Sequence, residues 1–442
     1  MRKNNLKTLL SLIFFIQFFA SGCAQVYSNN LAVMRSPIEV AKGWETYQEK
    51  GFGLLVEGEN IFVVSGNEDG ISLYSMRQDG ERFEQKTLLK SEKSLWSIPE
   101  ETAKTLCGGE EIFEKETEIF VDKNGIVRHN DGFLVAFSAK ITLECGGENK
   151  NNFDFANFFL ISFDRTWNPA GGPWKAWSAV HPLSAIAVSW EGKAGIFILS
   201  EEYFTFVKAP QDFKGKGETH SYSIKMKNPP AWGRNPSLFA LETEGKIYLV
   251  AAYMEKSASG NEGKEENSIV VQFLEFPDGK ELITNKIKTP NTPTATNLTS
   301  SPENSIFLLW SLIGYLPPAG KFVSIMKANI GKNGDIERIE TIFEKREISG
   351  ASILINKLSS CFSKKGGAVA WVMDMEGMDG MEQRIWLKTL TNKKKEDKIF
   401  EYRIKPGQRG IKNIHISPSG NQFVIIWEEK SLYEIRTALS SI

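Results

Sequence analysis

LFALETEGKIYLVAAY, residues 238–253, reads as two apolar runs around the turn Glu244-Gly245-Lys246, and that reading decides the fold. Glycine takes φ > 0 at little cost, and β-branched and aromatic side chains suit a pleated strand, so the stretch predicts a hairpin. The same arrangement recurs seven times, with turns at Glu57-Gly58-Glu59-Asn60, Asn130-Asp131-Gly132, Glu191-Gly192-Lys193, Glu244-Gly245-Lys246, Pro302-Glu303-Asn304, Lys365-Gly366-Gly367 and Ser419-Gly420-Asn421. Stronger runs follow from Ile61, Phe133, Ile196, Ile247, Ile306, Val369 and Phe423.

These starts lie about 60 residues apart on average, regular enough to count as a repeat. Third and fourth strands fit inside each interval, for instance Ser268 to Phe276, a turn at Pro277-Asp278-Gly279, and Glu281 to Ile287. Four strands per unit at such a period indicate a β-propeller. The expectation is an all-β fold of seven four-stranded blades. The last unit has three strands before the chain ends, so residues 30–50, and Val33 to Val40 in particular, are expected to supply its fourth and close the ring. Helix is expected only around Pro99 to Leu106, in an insertion at about 91–115 that lengthens the interval from Ile61 to Phe133. Residues 255–267 and 391–397 read as solvated loops.

The N-terminus carries a different message. Arg2, Lys3 and Lys7 precede the apolar stretch from Leu9 to Ala20, and Ala20-Ser21-Gly22 precede Cys23. That is the layout of a secretory signal, and it is shorter than the roughly 20 residues a bilayer core requires. The small-small-Cys ending resembles the lipobox of bacterial lipoproteins. The resemblance implies cleavage before Cys23 and acylation of Cys23, with several chains giving a stable anchor where one alone would not. The expected layout is then a signal at 1–22, a lipidated tether at 23–30 and a single propeller domain at 31–442. Ala24 to Ser28 include no acidic residue, which in that family points to the outer membrane rather than the inner.

Composition narrows the partners. Lys and Arg number 53 against 54 Asp and Glu, for a formal charge of −1. No basic excess exists to release counterions from a phosphate backbone, so nucleic acid is not an expected partner. The four histidines, His129, His181, His220 and His415, are scattered, and none has metal-ligand spacing. Neither a phosphate-cradling glycine loop nor a Gly-x-Ser-x-Gly elbow is present. No metal or other cofactor is expected. Asp374-Met375-Glu376-Gly377-Met378-Asp379-Gly380 places three carboxylates in one loop, which suits either calcium or a solvated acidic hairpin, and its spacing departs from the calcium-loop pattern.

Three further features could carry function. Cys107 and Cys145 each begin a Cys-Gly-Gly-Glu sequence; in an exported chain they form either a disulfide or two free thiols, while Cys361 reads as a small core residue. Trp167, Trp174 and Trp177 flank a Pro/Gly loop, placed to stack on a sugar or anchor a protein partner, or else to pack between blades. Arg35-Ser36-Pro37 and Arg234-Asn235-Pro236 are similar to the Arg-x-Pro strand starts of sialidase-like propellers, and Ser162-Phe163-Asp164-Arg165-Thr166-Trp167 resembles an Asp-box lacking its glycine. That likeness implies anion binding at Arg35 and Arg234; it places a nucleophile or acid on no residue. The ring also shares its architecture, though not the repeated Asp-x-x-Thr-Gly-x-x-x-Trp signature, with the propeller lipoprotein of the outer-membrane insertion machinery. The expected function is a membrane-anchored, non-catalytic binding or scaffold module for a protein or glycan partner. The alternative is a sialidase-like or other glycoside-active hydrolase, which would need two carboxylates at a defined separation.

Overall fold

The structure, a computed structural model, describes residues 38–41, 52–67, 70–77, 83–90, 97–109, 112–146, 152–213, 221–226, 230, 236–255, 267–276, 282–317, 320–347, 352–364, 366–377, 380–390, 399–403, 411–419, 422–429 and 434–441. Strand β1 (Ile38–Ala41) comes first. The first sheet follows as β2 (Phe52–Glu57), β3 (Asn60–Asn67), β4 (Gly70–Arg77) and β5 (Phe83–Lys90). A short helix α1 (Glu100–Leu106) leads into the second sheet: β6 (Ile112–Phe120), β7 (Ile126–His129), β8 (Gly132–Cys145), β9 (Asn152–Phe163) and β10 (Pro169–Val180). The third is β11 (Pro182–Trp190), β12 (Lys193–Ser200), β13 (Tyr203–Lys208) and β14 (Ser221–Lys225), and the fourth is β15 (Ser237–Thr243), β16 (Lys246–Met254), β17 (Asn267–Phe276) and β18 (Ile283–Thr289). The fifth is β19 (Thr292–Ser300), β20 (Ile306–Leu316), β21 (Gly320–Ile330) and β22 (Ile336–Glu347); the sixth is β23 (Ile353–Ser363), β24 (Gly366–Gly377), β25 (Gly380–Leu390) and β26 (Ile399–Arg403). Strands β27 (Ile411–Ser419), β28 (Gln422–Glu429) and β29 (Glu434–Ser441) form the last sheet, and β1 lies antiparallel against β29 at its outer edge, with Ile38 opposite Thr437.

The fold is an all-β propeller, and the expectation of seven four-stranded blades is corrected to six: six sheets have four strands, and the second has five. Strand β8 is 14 residues long, and no single inner strand follows its whole edge. β6 pairs with residues 138–145 of β8 and β7 with residues 132–135. Between them Val121 to Gly125 leave the ladder through a turn closed by Gly125 N donating to Asp122 O at 2.8 Å, and Gly125 O then takes Ala136 N at 2.7 Å. Around the ring β7, β11, β15, β19, β23 and β27 contact one another in succession, and β2 contacts both β27 and β7.

The hairpin that announces the fold shows why. Glu244 and Gly245 hold φ of 54° and 76°, the doubly positive turn whose twist matches its strands. In β16 the side chains of Ile247, Leu249, Ala251 and Tyr253 pack toward the third sheet, and those of Tyr248, Val250 and Ala252 toward the fifth. Successive strand side chains point to opposite faces, so a sheet covered on both sides reads as a continuous apolar run. Each pair of neighbouring sheets shares such a cluster, including the first and the last, where Leu54, Val63 and Tyr74 meet Val424 and Ile426.

Polar side chains of the inner strands stitch adjacent sheets. Ser237 Oγ accepts from Leu298 N at 2.8 Å, Thr294 Oγ1 donates to Ile355 O at 2.6 Å, Ser360 Oγ donates to Asn297 Oδ1 at 2.6 Å, and Ser359 Oγ accepts from Ile416 N at 3.1 Å. These partners are 57 to 63 residues apart, one repeat of the sequence. No helix among the described residues is long and apolar enough to cross a membrane.

Candidate functional site in the central channel

The inner strands enclose a cavity of about 220 Å³ lined from every sheet, by Phe52, Lys123, Leu183, Leu238, Thr296, Asn356 and His415 among others. Its defining feature is the segment that interrupts the second sheet. Asp122, Lys123 and Asn124 enter the channel as a wedge, and each is fastened to a different sheet. Ser184 of β11 donates its hydroxyl to Asp122 Oδ2. Asn124 Nδ2 donates to Leu238 O of β15 at 2.9 Å. Lys123 Nζ reaches across to Leu358 O of β23 at 3.5 Å, a distance at the limit of a hydrogen bond. Glycine is required beside the wedge: a Cβ on Gly125 would stand 2.9 Å from the carbonyl oxygens of Ala136 and Asp122.

The channel favours neutral groups. Burial raises the Asp122 carboxyl above the usual range, against the pull of Ser184 and Asn124. Burial also lowers the Lys123 ammonium to about 7, opposed by the charge of Asp122. His415 on β27 is held well below its ordinary value, first by burial and then by Lys123; its Nδ1 lies 3.4 Å from Ser359 Oγ. Both members of the Asp122–Lys123 pair are thus pushed toward their uncharged forms, because the enclosed site penalises charge more than the pair recovers.

The residues singled out by sequence lie elsewhere. Cys107 and Cys145 form a disulfide with a Cα–Cα distance of 5.3 Å, joining the end of α1 to the end of β8, and Ala103 of α1 packs on Ile141, Leu143 and Phe155. Trp167 and Trp174 are buried, so neither presents a face to a ligand, and the stacking role is corrected to a packing one. Trp167 stacks on Phe133 at 4.1 Å between centroids, Trp174 sits between the second and third sheets, and Trp177 packs half-buried against the same cluster. The Asp-box-like sequence makes a hairpin turn: Asp164 Oδ1 accepts from Thr166 N, Thr166 Oγ1 and Asn168 N at 2.8 to 2.9 Å. In the acidic loop, Asp374 takes Asn356 Nδ2 and Gln383 Nε2 at 2.6 Å each, and Glu376 takes Ser352 N at 2.8 Å. No group of three potential metal ligands occurs among the described residues. Cys23, Arg35, Arg234 and His220 lie outside the described residues.

Sequence reading passed over Asp122, Lys123, Asn124 and Asn356. The only local signal was Asn124-Gly125, an ordinary turn dipeptide, and it does not say that the turn points into a channel.

No family model and no curated protein matches the chain. Similar solved structures include Drosophila Plexin A in complex with Semaphorin 1b, 9% identical over 92% of this chain and 88% of that one, TM-score 0.41. An alpha-L-arabinanase of Penicillium chrysogenum complexed with arabinobiose is 8% identical over 92% and 98%, TM-score 0.40. An ulvan lyase from a new family of polysaccharide lyases is 10% identical over 92% and 95%, TM-score 0.44. In this chain the wedge of three consecutive polar residues ties the second sheet to the third, fourth and sixth.

Proposed function

We propose that the protein is an exported propeller, lipid-anchored through Cys23 in the bacterial envelope with the outer membrane favoured, that holds a protein or glycan partner without covalent chemistry. One observation carries the non-catalytic part: Asp122 is the single carboxylate on the described lining of the channel, and Ser184 already occupies it. Glycoside hydrolysis by the ordinary route uses two carboxylates across the scissile bond. The channel instead offers hydroxyls, amides and an ammonium on a rigid ring, a surface suited to binding. The anchor reading rests on the charged, apolar and small-residue order ending at Cys23.

The test pairs binding with turnover. The purified protein is screened against a glycan array and bound glycans are incubated with it, while in-cell crosslinking identifies protein partners. Retention of an intact glycan, or a reproducible crosslinked partner lost on surface mutation, is the expected result; release of glycan fragments would overturn the reading. Cys23→Ala is expected to move the protein from membranes to the soluble fraction, and unchanged membrane retention would refute the anchor.

A further inference from the structure

The channel cavity receives Lys123, whose Nζ forms no ion pair among the described residues and hydrogen-bonds there only to the Leu358 carbonyl at 3.5 Å. Lys357, the other cation of the lining, is drawn to Asp374. A volume of about 220 Å³ is below the roughly 300–1,000 Å³ of pockets that take drug-sized ligands, and it holds the equivalent of about seven waters.

We infer that the channel binds a small hydroxylated carboxylate of sugar-acid size, with its carboxylate on Lys123 Nζ and its hydroxyls toward the polar lining. The assignment rests on the binding reading above and names its ligand. A neutral sugar would leave Lys123 without a counterion. A phosphate, with charge near −1.5 to −2, would meet Asp122 and only one unengaged ammonium. Thr296, Asn297 and Asn413 line the same space and suit a hydroxyl-bearing guest.

Binding is linked to protonation. The groups facing Lys123 are Asp122 on its own segment, Cys361 of β23, a thiol that burial pushes up and keeps neutral, and His415 of β27, with Lys357 in the same cavity. An anion favours the charged ammonium, so above about pH 7 complex formation takes up a proton and affinity falls about tenfold per pH unit.

Calorimetric titration of the full chain from pH 6 to 9 tests this with glucuronate, glucose, inorganic phosphate and an oligosaccharide ending in a uronate. Glucuronate is expected to bind at least about tenfold tighter than glucose or phosphate, since hydrogen bonds to charged groups exceed neutral ones by that order. Lys123→Met should cost about 10- to 100-fold. Lys123→Arg keeps the charge at every pH used and should bind with a flattened pH profile; it carries the test if Lys123→Met does not fold. Tighter binding of the oligosaccharide would identify a glycan end as the source of the carboxylate, and equal affinity a free acid. Equal affinity for glucose and glucuronate, preference for phosphate, an unaffected folded Lys123→Met, or no heat with any probe would overturn the assignment. Such a failure alongside an intact captured partner would leave the binding reading standing, whereas fragmentation of the oligosaccharide would remove both.

Discussion

The inner strands of the second and fifth sheets use their polar side chains in opposite directions. β19 is continuous apart from a bulge at Thr294, and Thr294 and Asn297 bond to the sixth sheet while Leu298 N donates to Ser237 Oγ of the fourth, each partner 61 to 63 residues away. The second sheet breaks its inner strand, and from the gap Asn124 and Lys123 reach partners 114 and 235 residues away. One pattern stitches the ring along its circumference; the other braces it across the hole. A nine-residue strand that stays in its ladder apart from one bulge meets only the sheets beside it, because its backbone hydrogen bonds hold it at their spacing. Freeing five residues from the ladder is what lets Lys123 and Asn124 choose more distant partners while Asp122 still bonds the next sheet, at the cost of placing all three in an enclosed site.

The largest expected effect falls on the second sheet alone. Its disulfide closes a span of 38 residues, so Cys107→Ser with Cys145→Ser should lose about 2–4 kcal/mol of stability, chiefly through a freer unfolded chain. Urea denaturation of the double variant measures it. A loss matched by adding reductant to the wild type supports the covalent origin, and a loss below about 0.5 kcal/mol would show that packing of α1 on Ile141 and Phe155 already holds this edge.

Next in size is the electrostatic cost of the brace, where pH gives the sign. Lys123 is lowered in the folded protein relative to the unfolded chain, so between about pH 7 and 10 the unfolded state binds more protons and stability rises with pH. Below pH 7 the folded protein bears the full penalty. Lys123→Met removes it: the variant should exceed the wild type by on the order of 2 kcal/mol at pH 6, discounted for the water the channel admits, and approach it near pH 10. Denaturation at pH 6, 8 and 10 reads the trend. A constant difference, or one that grows with pH, would mean that Lys123 is not desolvated by the channel.

The two sheets also differ in how much of them the residues announce. The turns at 191–192 and 244–245 were legible through Gly192 and Gly245, because glycine takes the positive φ found there at little cost, and the apolar runs behind them were legible because each face meets another sheet. The paired Cys-Gly-Gly-Glu sequences likewise drew attention to two cysteines that the structure bonds. The break after Phe120 was not legible. Val121 to Gly125 look like any hairpin connection, and the carbonyls of Leu238 and Leu358 that receive Asn124 and Lys123 come from remote parts of the chain. The tryptophans stayed open between two readings for a related reason: whether Trp167 and Trp174 are stacking surface or core depends on the sheets beside them, which local composition does not contain.

The smallest effect separates circumferential stitching from cross-channel bracing. Asn124→Ala removes the donor to Leu238 O, and Thr294→Val removes the donor to Ile355 O; each should cost about 1 kcal/mol, the net worth of such a bond. The two ties share no partner, so the double variant should lose the sum within about 0.5 kcal/mol. Asn124→Ala combined with Ser184→Ala should not be additive. Ser184 bonds Asp122, and Asp122 Oδ1 accepts from Asn124 N at 3.4 Å, so loosening one end of the wedge already relaxes the other, and a coupling of about 0.5–1 kcal/mol is expected. Additivity in the second cycle would show that the three wedge residues act separately. Coupling in the first would show that a stitch at the rim and a brace across the channel are one network, and the contrast between the two sheets would then describe their geometry but not their energetics.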